Sequence, residues 1–251
     1  MSEAVSNPSP ASQWRRAARR LLREPLGMFG LSLVVLVVFG AAFADVLSSF
    51  DPTRINPRDR FLGPSSDHLL GTDQLGRDLF ARVLHGGRIA LYVALVSTAI
   101  SLAIGIVLGL IAGYGPRWLD NLLILLFDAM KSFPNVMLAL ALVTITGPSL
   151  TAVILVVILV NVPGYARIIR TQTIAIKSSE FVTAAQSMGA SGARILRAHI
   201  LPNVIGPLVI LASMDIPVVI AIEAGMSFLG LGVRPPTPIW GSILNDGFST
   251  I

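Results

Sequence analysis

Asp73, Arg77 and Asp78 lie almost side by side, and two carboxylates flanking a guanidinium could act as a general acid and base pair. The same three side chains also describe structural ion pairs and turn caps in a polar segment, which is the preferred reading. Asp215 and Glu223 are a second candidate, because an ionisable residue inside an apolar run is a functional candidate by default. Eight positions apart, they sit about 80° apart around a helix axis and can face one cavity. There a carboxylate could hold a peptide amine or a cation. The alternative is that Asp215 caps backbone left unpaired by Pro217 while Glu223 lies at the outer interface; the residues leave both open. His68, His85 and His199 are scattered and no HExxH occurs, so no metal site is expected. No GxxxxGK[ST] is present, and Lys131 and Lys177 lack a preceding glycine. The chain is therefore expected to hold no ATP and no cofactor of its own.

The elements that position these residues follow from composition. The chain has 251 residues, 53% hydrophobic and 13% charged, with a mean hydropathy of +0.75. Soluble domains carry about a quarter charged residues, so lipid is the main solvent. There are no cysteines, which excludes disulfides and thiolate metal sites. The net charge of +5 comes largely from short basic clusters, which in a membrane chain set topology rather than bind nucleic acid.

Residues 1–24 form a basic tail with Arg15, Arg16, Arg19, Arg20 and Arg23, followed by a first span over 25–47. Ala42-Phe43-Ala44 resembles a signal-peptidase site, but the run is span-sized and an uncleaved anchor is expected. After a loop over 48–88, a core over 89–224 holds spans at about 89–112, 121–146, 150–165 and 204–224. In the first of these Ser97, Ser101, Gly105, Gly109 and Gly113 recur every fourth residue, a ridge that lets another helix come close. Residues 132–166 are charge-free and too long for one crossing, so the chain should break at Thr146-Gly147-Pro148-Ser149. Asp128 and Lys131 either pair with each other or sit at the interface where Pro134 bends the chain; the interface is preferred. Residues 225–251 form a closing loop. The tail and the 166–203 segment fall on one side and, together with Arg117 and the interfacial Lys131, hold 12 of the 19 Lys and Arg, which places both in the cytoplasm and the loops at 48–88 and 225–251 outside.

The segment 178–203 is too polar to cross a bilayer. With Ser178 or Ser179 as N-cap, Glu180 meets the positive end of the helix dipole. Phe181, Ala184, Ala185 and Met188 then share one apolar stripe. Gly189 suits the left-handed position that ends a helix. A second short helix over about 191–200 should stop before Pro202. Such a hairpin could pack on its own chain or enter a partner's groove.

Thr183-Ala184-Ala185, Gly189 and Ile200-Leu201-Pro202 resemble the "EAA" loop of ABC importer permeases, with Thr183 and His199 as departures from the usual pattern. Leu70-Gly71-Thr72-Asp73-Gln74-Leu75-Gly76-Arg77-Asp78, followed by Arg82 and Gly86-Gly87-Arg88, is similar to the GTDxxGRD block of the dipeptide, oligopeptide and nickel branch. Phe228-Leu229-Gly230-Leu231-Gly232, with Pro235 to Pro238 and Trp240-Gly241, resembles an external loop of the same branch. The resemblance implies an all-α type I importer bundle in a bacterial inner membrane, about five spans here, with the amino terminus in the cytoplasm. The family's sixth helix would then be missing after Ile251, and truncation is expected. It further implies that Glu180, Phe181, Ala184, Ala185, Met188, Gly189, Leu201 and Pro202 form a coupling loop on a separate ATP-hydrolysing subunit. Gly71, Asp73, Gly76, Arg77 and Asp78 would belong to an external loop near a docked substrate-binding protein. The implied partners are a second, non-identical permease, two subunits carrying ATP and Mg, and that binding protein. Peptides are the implied cargo, and nickel or another small solute the next choice. An ATP-independent secondary transporter and a membrane enzyme or scaffold are the rivals from other classes.

Overall fold

A computed structural model describes residues 19–250; most of the basic tail lies outside the described residues. Pro25–Ala42 (α1) is apolar on all sides and lies at the periphery, most of its side chains exposed. Such a helix needs lipid around it. A single helical turn, Ala44–Leu47, follows it.

Leu79–Tyr114 (α2) begins well before the expected start at residue 89. Asp78 caps it, its Oδ1 accepting from the Ala81 amide at 2.7 Å. Capped this early, 36 residues give about 54 Å of helix, more than the roughly 30 Å hydrocarbon core. Arg82, His85 and Arg88, read above as loop, therefore ride on its first turns.

The expected span at 121–146 is two helices, Arg117–Lys131 (α3) and Asn135–Thr146 (α4), bent by 89° at the break. Proline disfavours helical geometry in the residue before it, and Pro134 stands at that break. Asp128 pairs with Arg167 at 2.5 Å rather than with Lys131. Asp120 takes Arg170, whose Nη2 donates to Oδ2 at 2.7 Å. Two ion pairs thus strap the polar side of α3 onto the next long helix.

The chain turns at Gly147, whose φ of 77° is left-handed, and Ser149 caps Leu150–Lys177 (α5). This helix runs past Tyr165, where the span was expected to end. It lies parallel to α2 along the small-residue ridge. A Cβ on Gly105 would meet the Cβ of Tyr165 at 2.5 Å, one on Gly109 the Ala166 carbonyl at 2.6 Å, and one on Gly113 the Cβ of Thr173 at 2.7 Å. Nothing larger than hydrogen fits, so backbone contact without a side chain between them sets the helix spacing. This is the largest helix contact in the bundle.

Glu180–Ser187 (α6) is followed by Gly192–Phe228 (α7). The second helix was expected to stop before Pro202. It continues instead, through a widened π turn at Leu196–Ile200. Proline lacks an N–H and its ring clashes with the carbonyl four residues earlier; a π turn just before it loosens that ladder. Pro207 and Pro217 lie further along the same helix. Trp240–Phe248 (α8) forms inside the expected closing loop. Its indole is pinned by a 2.8 Å hydrogen bond from Nε1 to the Val83 carbonyl and covers Gly86 and Gly87 of α2. Among the described residues the core is three apolar clusters: one around Val156 and Val219, one around Ile169, Ile195 and Leu208, and a smaller one in which Leu123 and Phe127 of α3 meet Ala112 and Ala166.

Candidate functional sites along the bundle

The elbow between α5 and α7 starts with Ser179 as N-cap and Glu180 in the first turn. The Ser179 hydroxyl does not cap the helix; it donates to the Ile176 carbonyl at 2.6 Å. The inward stripe differs from the expected one. Val182 and Ala185 are buried, with Val182 in the cluster that holds Ile195 and Ile200. Phe181 is 49% exposed and Met188 81%, and Ala184 and Gly189 also face outward. An eight-residue helix has about two turns, so Val182 and Ala185, three apart, are enough to seat it. Gly189 has φ of 83° with open space where a Cβ would be, so it is needed for its backbone angle and not for want of room. Leu201 is half-buried and Pro202 exposed at the start of the straight part of α7.

Asp215 and Glu223 do not share one environment. Asp215 is half-buried near the Tyr165 hydroxyl, which is itself buried and makes no hydrogen bond. Glu223 is 1% exposed; Oε1 accepts from the Ser227 hydroxyl at 2.8 Å, and Oε2 has no partner. The two carboxylates therefore differ in burial, Glu223 being enclosed within the chain and Asp215 only partly so. Tyr165 was missed because a tyrosine in an apolar run carries no spacing signal.

At the opposite end from the elbow, the GTDxxGRD residues fold into a knot. Gly71 and Gly76 have φ of 76° and 73°, and a Cβ would fall 2.4 Å from the Leu62 carbonyl oxygen and 1.8 Å from that of Asn56. Both positions demand glycine twice over. Asp73 Oδ1 accepts from the amides of Leu75 and Arg77 at 2.8 and 3.0 Å, and Oδ2 receives Arg77 Nε at 2.6 Å. Arg77 Nη2 reaches Asp246 of α8 at 2.9 Å. Asp78 caps α2 through one oxygen and meets His68 Nδ1 at 2.8 Å through the other. Both carboxylates are engaged, each on a different partner, so the knot has the chemistry of ion pairs and caps. Asp246 was missed because 169 residues separate it from Arg77. His85 joins Asp45 and His199 lies by Phe181, so the histidines stay apart. Among the described residues no group of three or more candidate ligands could hold a metal. Hydrogen bonds from Arg88 and then His85 hold the exposed Asp45 carboxyl below the usual carboxylate range.

Helices of span length, a seated but outward-facing elbow and a polar knot at the far end define a multi-pass helical membrane protein. Residues 105–251 match the family described as binding-protein-dependent transport system inner membrane component, and residues 12–64 match the N-terminal TM domain of oligopeptide transport permease C. The dipeptide transport system permease protein DppC of Alkalihalophilus pseudofirmus is 38% identical over 98% of this chain and 83% of its own length. The glutathione transport system permease protein GsiD of Pectobacterium atrosepticum is 38% identical over 98% and 82%. DppC of Bacillus subtilis is 34% identical over the whole of this chain and 78% of its own. The chain belongs to the binding-protein-dependent transport permeases, with the all-α type I importer fold of that family.

Proposed function

We propose that this subunit forms half of the membrane conduit of an ATP-driven importer of di- or oligopeptides. In this reading the elbow and the amino terminus face the cytoplasm, and the knot faces outward toward a docked substrate-binding protein. A second, non-identical permease completes the conduit. Two partner subunits bind and hydrolyse Mg-ATP, and their closure moves the elbows. The dipeptide and glutathione permeases among the relatives favour peptide cargo, with nickel or another small solute second.

The observation that carries the reading is the division of labour on α6: Val182 and Ala185 fix it to the core while Phe181, Ala184 and Met188 remain free. A helix held rigidly yet exposed on its apolar side fits a partner's groove, because little ordering remains to be done on binding. Gly189→Leu tests it. The new side chain has space, but a left-handed backbone costs a non-glycine residue about 1–2 kcal/mol and would re-aim the elbow. The expected result is intact membrane insertion with ATPase subunits no longer co-purifying and transport lost. Normal co-purification with normal transport would overturn it. Asp215→Asn is expected to alter transport through the path, whereas Glu223→Gln should leave it unchanged; equal rates for both and for wild type would remove the pathway role.

A further inference from the structure

The buried apolar residues change cluster partway along each long helix. On α5, Val153, Val156 and Val160 belong to one cluster and Tyr165 and Ile169 to another. On α7, Leu208 and Ala212 belong to the second, and Val219 and Met226 to the first. On α2 the change falls between Ala94 and Leu102. The smaller cluster of α3 packs on Ala112 and Ala166, beside the second, whereas Ala139 of α4 lies in the first. Val182, Ile195 and Ile200 of the elbow all belong to the second. The bundle is thus two apolar bodies, one carrying the elbow and α3, the other carrying α4.

Among the described residues, each helical path between the two bodies is weakened where it crosses. In α5 Pro163 has no N–H, so the Leu159 carbonyl loses its helical donor, and the helix-weakening Gly164 follows. In α7 Pro217 leaves the Ser213 carbonyl in the same position. Between α3 and α4 the helix is interrupted outright, with the 89° bend at Pro134. α2 has no proline, but there the buried Ser97 hydroxyl donates back to the Val93 carbonyl, which loosens and often bends a helix. Pro207 lies between Val204 and Leu208, inside one body, so proline alone does not mark the boundary. The boundary layer is also poorly satisfied: the buried hydroxyls of Thr98, Ser101 and Tyr165 find no partner. Asp215 stands near the last of these, two residues before Pro217.

Close apolar packing on both sides of a loose polar layer, with every connecting helix weakened in that layer, is the build of a hinge. We propose that this seam is one, about which the elbow-bearing body turns against the other. A tilt of about 15° over the roughly 21 Å of helix from Pro163 to Lys177 displaces the root of the elbow by about 5 Å. The hinge itself rests on packing alone. That the elbow drives it during transport, changing the surroundings of Asp215, rests on the coupling reading above.

The test uses the full chain with its partner subunits in nanodiscs. The chain has no cysteine, so spin labels can be introduced singly or in pairs. Asn121→Cys with Ala175→Cys, both exposed on the elbow-bearing body, is the reference pair; Ala175→Cys with Met137→Cys of α4 spans the seam. Without nucleotide, the spanning pair should give a distance distribution broader than the reference by up to about 5 Å. Gly164→Ala stiffens α5 without a clash, because a Cβ there meets nothing within 4 Å. Pro163→Ala with Pro217→Ala restores both missing backbone donors. Each variant should narrow the spanning distribution to the width of the reference and melt no earlier than wild type. Each should also keep its ATPase subunits and lose ATP-driven uptake roughly tenfold or more. A packing role alone would not make the protein stiffer and slower together. Equal widths for the two wild-type pairs would show one rigid body and overturn the proposal, as would a spanning distribution that stays broad in Gly164→Ala. If the double proline variant melts early, Gly164→Ala still decides. Narrowing with normal uptake would overturn the hinge's part in transport. Wild type that fails to retain ATPase subunits overturns the elbow reading instead, and the widths still decide the hinge.

Discussion

The two ends of the bundle use their motif residues in opposite ways. In the knot, Asp73, Arg77 and Asp78 are buried and engaged with one another, with His68 and with Asp246. In the elbow, Phe181, Ala184, Met188 and Gly189 are exposed and touch little. A residue whose bonds are met within its own chain has little left for a partner, whereas an exposed apolar side chain on a fixed helix has its binding energy still unspent. On the reading proposed above, the knot is chiefly a brace and the elbow a contact.

If that contrast holds, substitutions in the knot unfold the protein and substitutions in the elbow do not. Asp73→Ala strips the main partner from a buried guanidinium, and breaking a buried pair by removing one side costs about 3–5 kcal/mol. Thermal melting in detergent should drop more for it than for any elbow variant; an unchanged melt would remove the brace. Asp246→Ala should cost less, because its side chain is 29% exposed and Arg77 keeps Asp73. Between the ends, Gly109→Ala places a carbon 2.6 Å from the Ala166 carbonyl oxygen and from the Cβ of Ile169, both on α5. Overpacking of this kind costs about 1–3 kcal/mol, and the same melt should detect it. Arg167→Ala removes a pair with both partners largely exposed, worth about 0–1 kcal/mol, and should barely register.

The sequence carried the parts of this picture that depend on local spacing. The small-residue ridge at 97–113 was legible because residues four apart share a helix face whatever they pack against. The turn at Gly147 and the left-handed Gly189 were legible because glycine marks positive φ. Two kinds of feature were not. Helix continuation was hidden: α5 runs on to Lys177 because Arg167 and Arg170 find Asp128 and Asp120 on α3, and charges read in isolation look like the end of a span. Likewise α7 passes Pro202 by means of a π turn that no residue type announces. Long-range partners were also hidden, since nothing near Arg77 points to Asp246. The elbow shows the boundary between the two. Its helix, its cap residue and its closing glycine were readable, but the buried face was not, because on two turns of helix the stripe through Val182 and the stripe through Phe181 are nearly equally apolar.

That ambiguity supplies the finest test of the contrast. Phe181→Ala with Met188→Ala removes two exposed side chains from α6 while Val182 and Ala185 keep it seated. Surface truncations away from caps and buried contacts usually fall within about 0.5 kcal/mol, so the melting temperature should stay close to wild type. Co-purification of the ATPase subunits and ATP-driven uptake should fall together. Val182→Ala should do the reverse in order of cause, loosening the helix from Ile195 and Ile200 first and coupling only as a consequence. If the double variant melts early, the outward residues support the fold and the elbow is another brace. If it neither melts early nor loses its partner subunits, the exposed stripe is not the docking face, and the polar side with Glu180 and Gln186 takes its place.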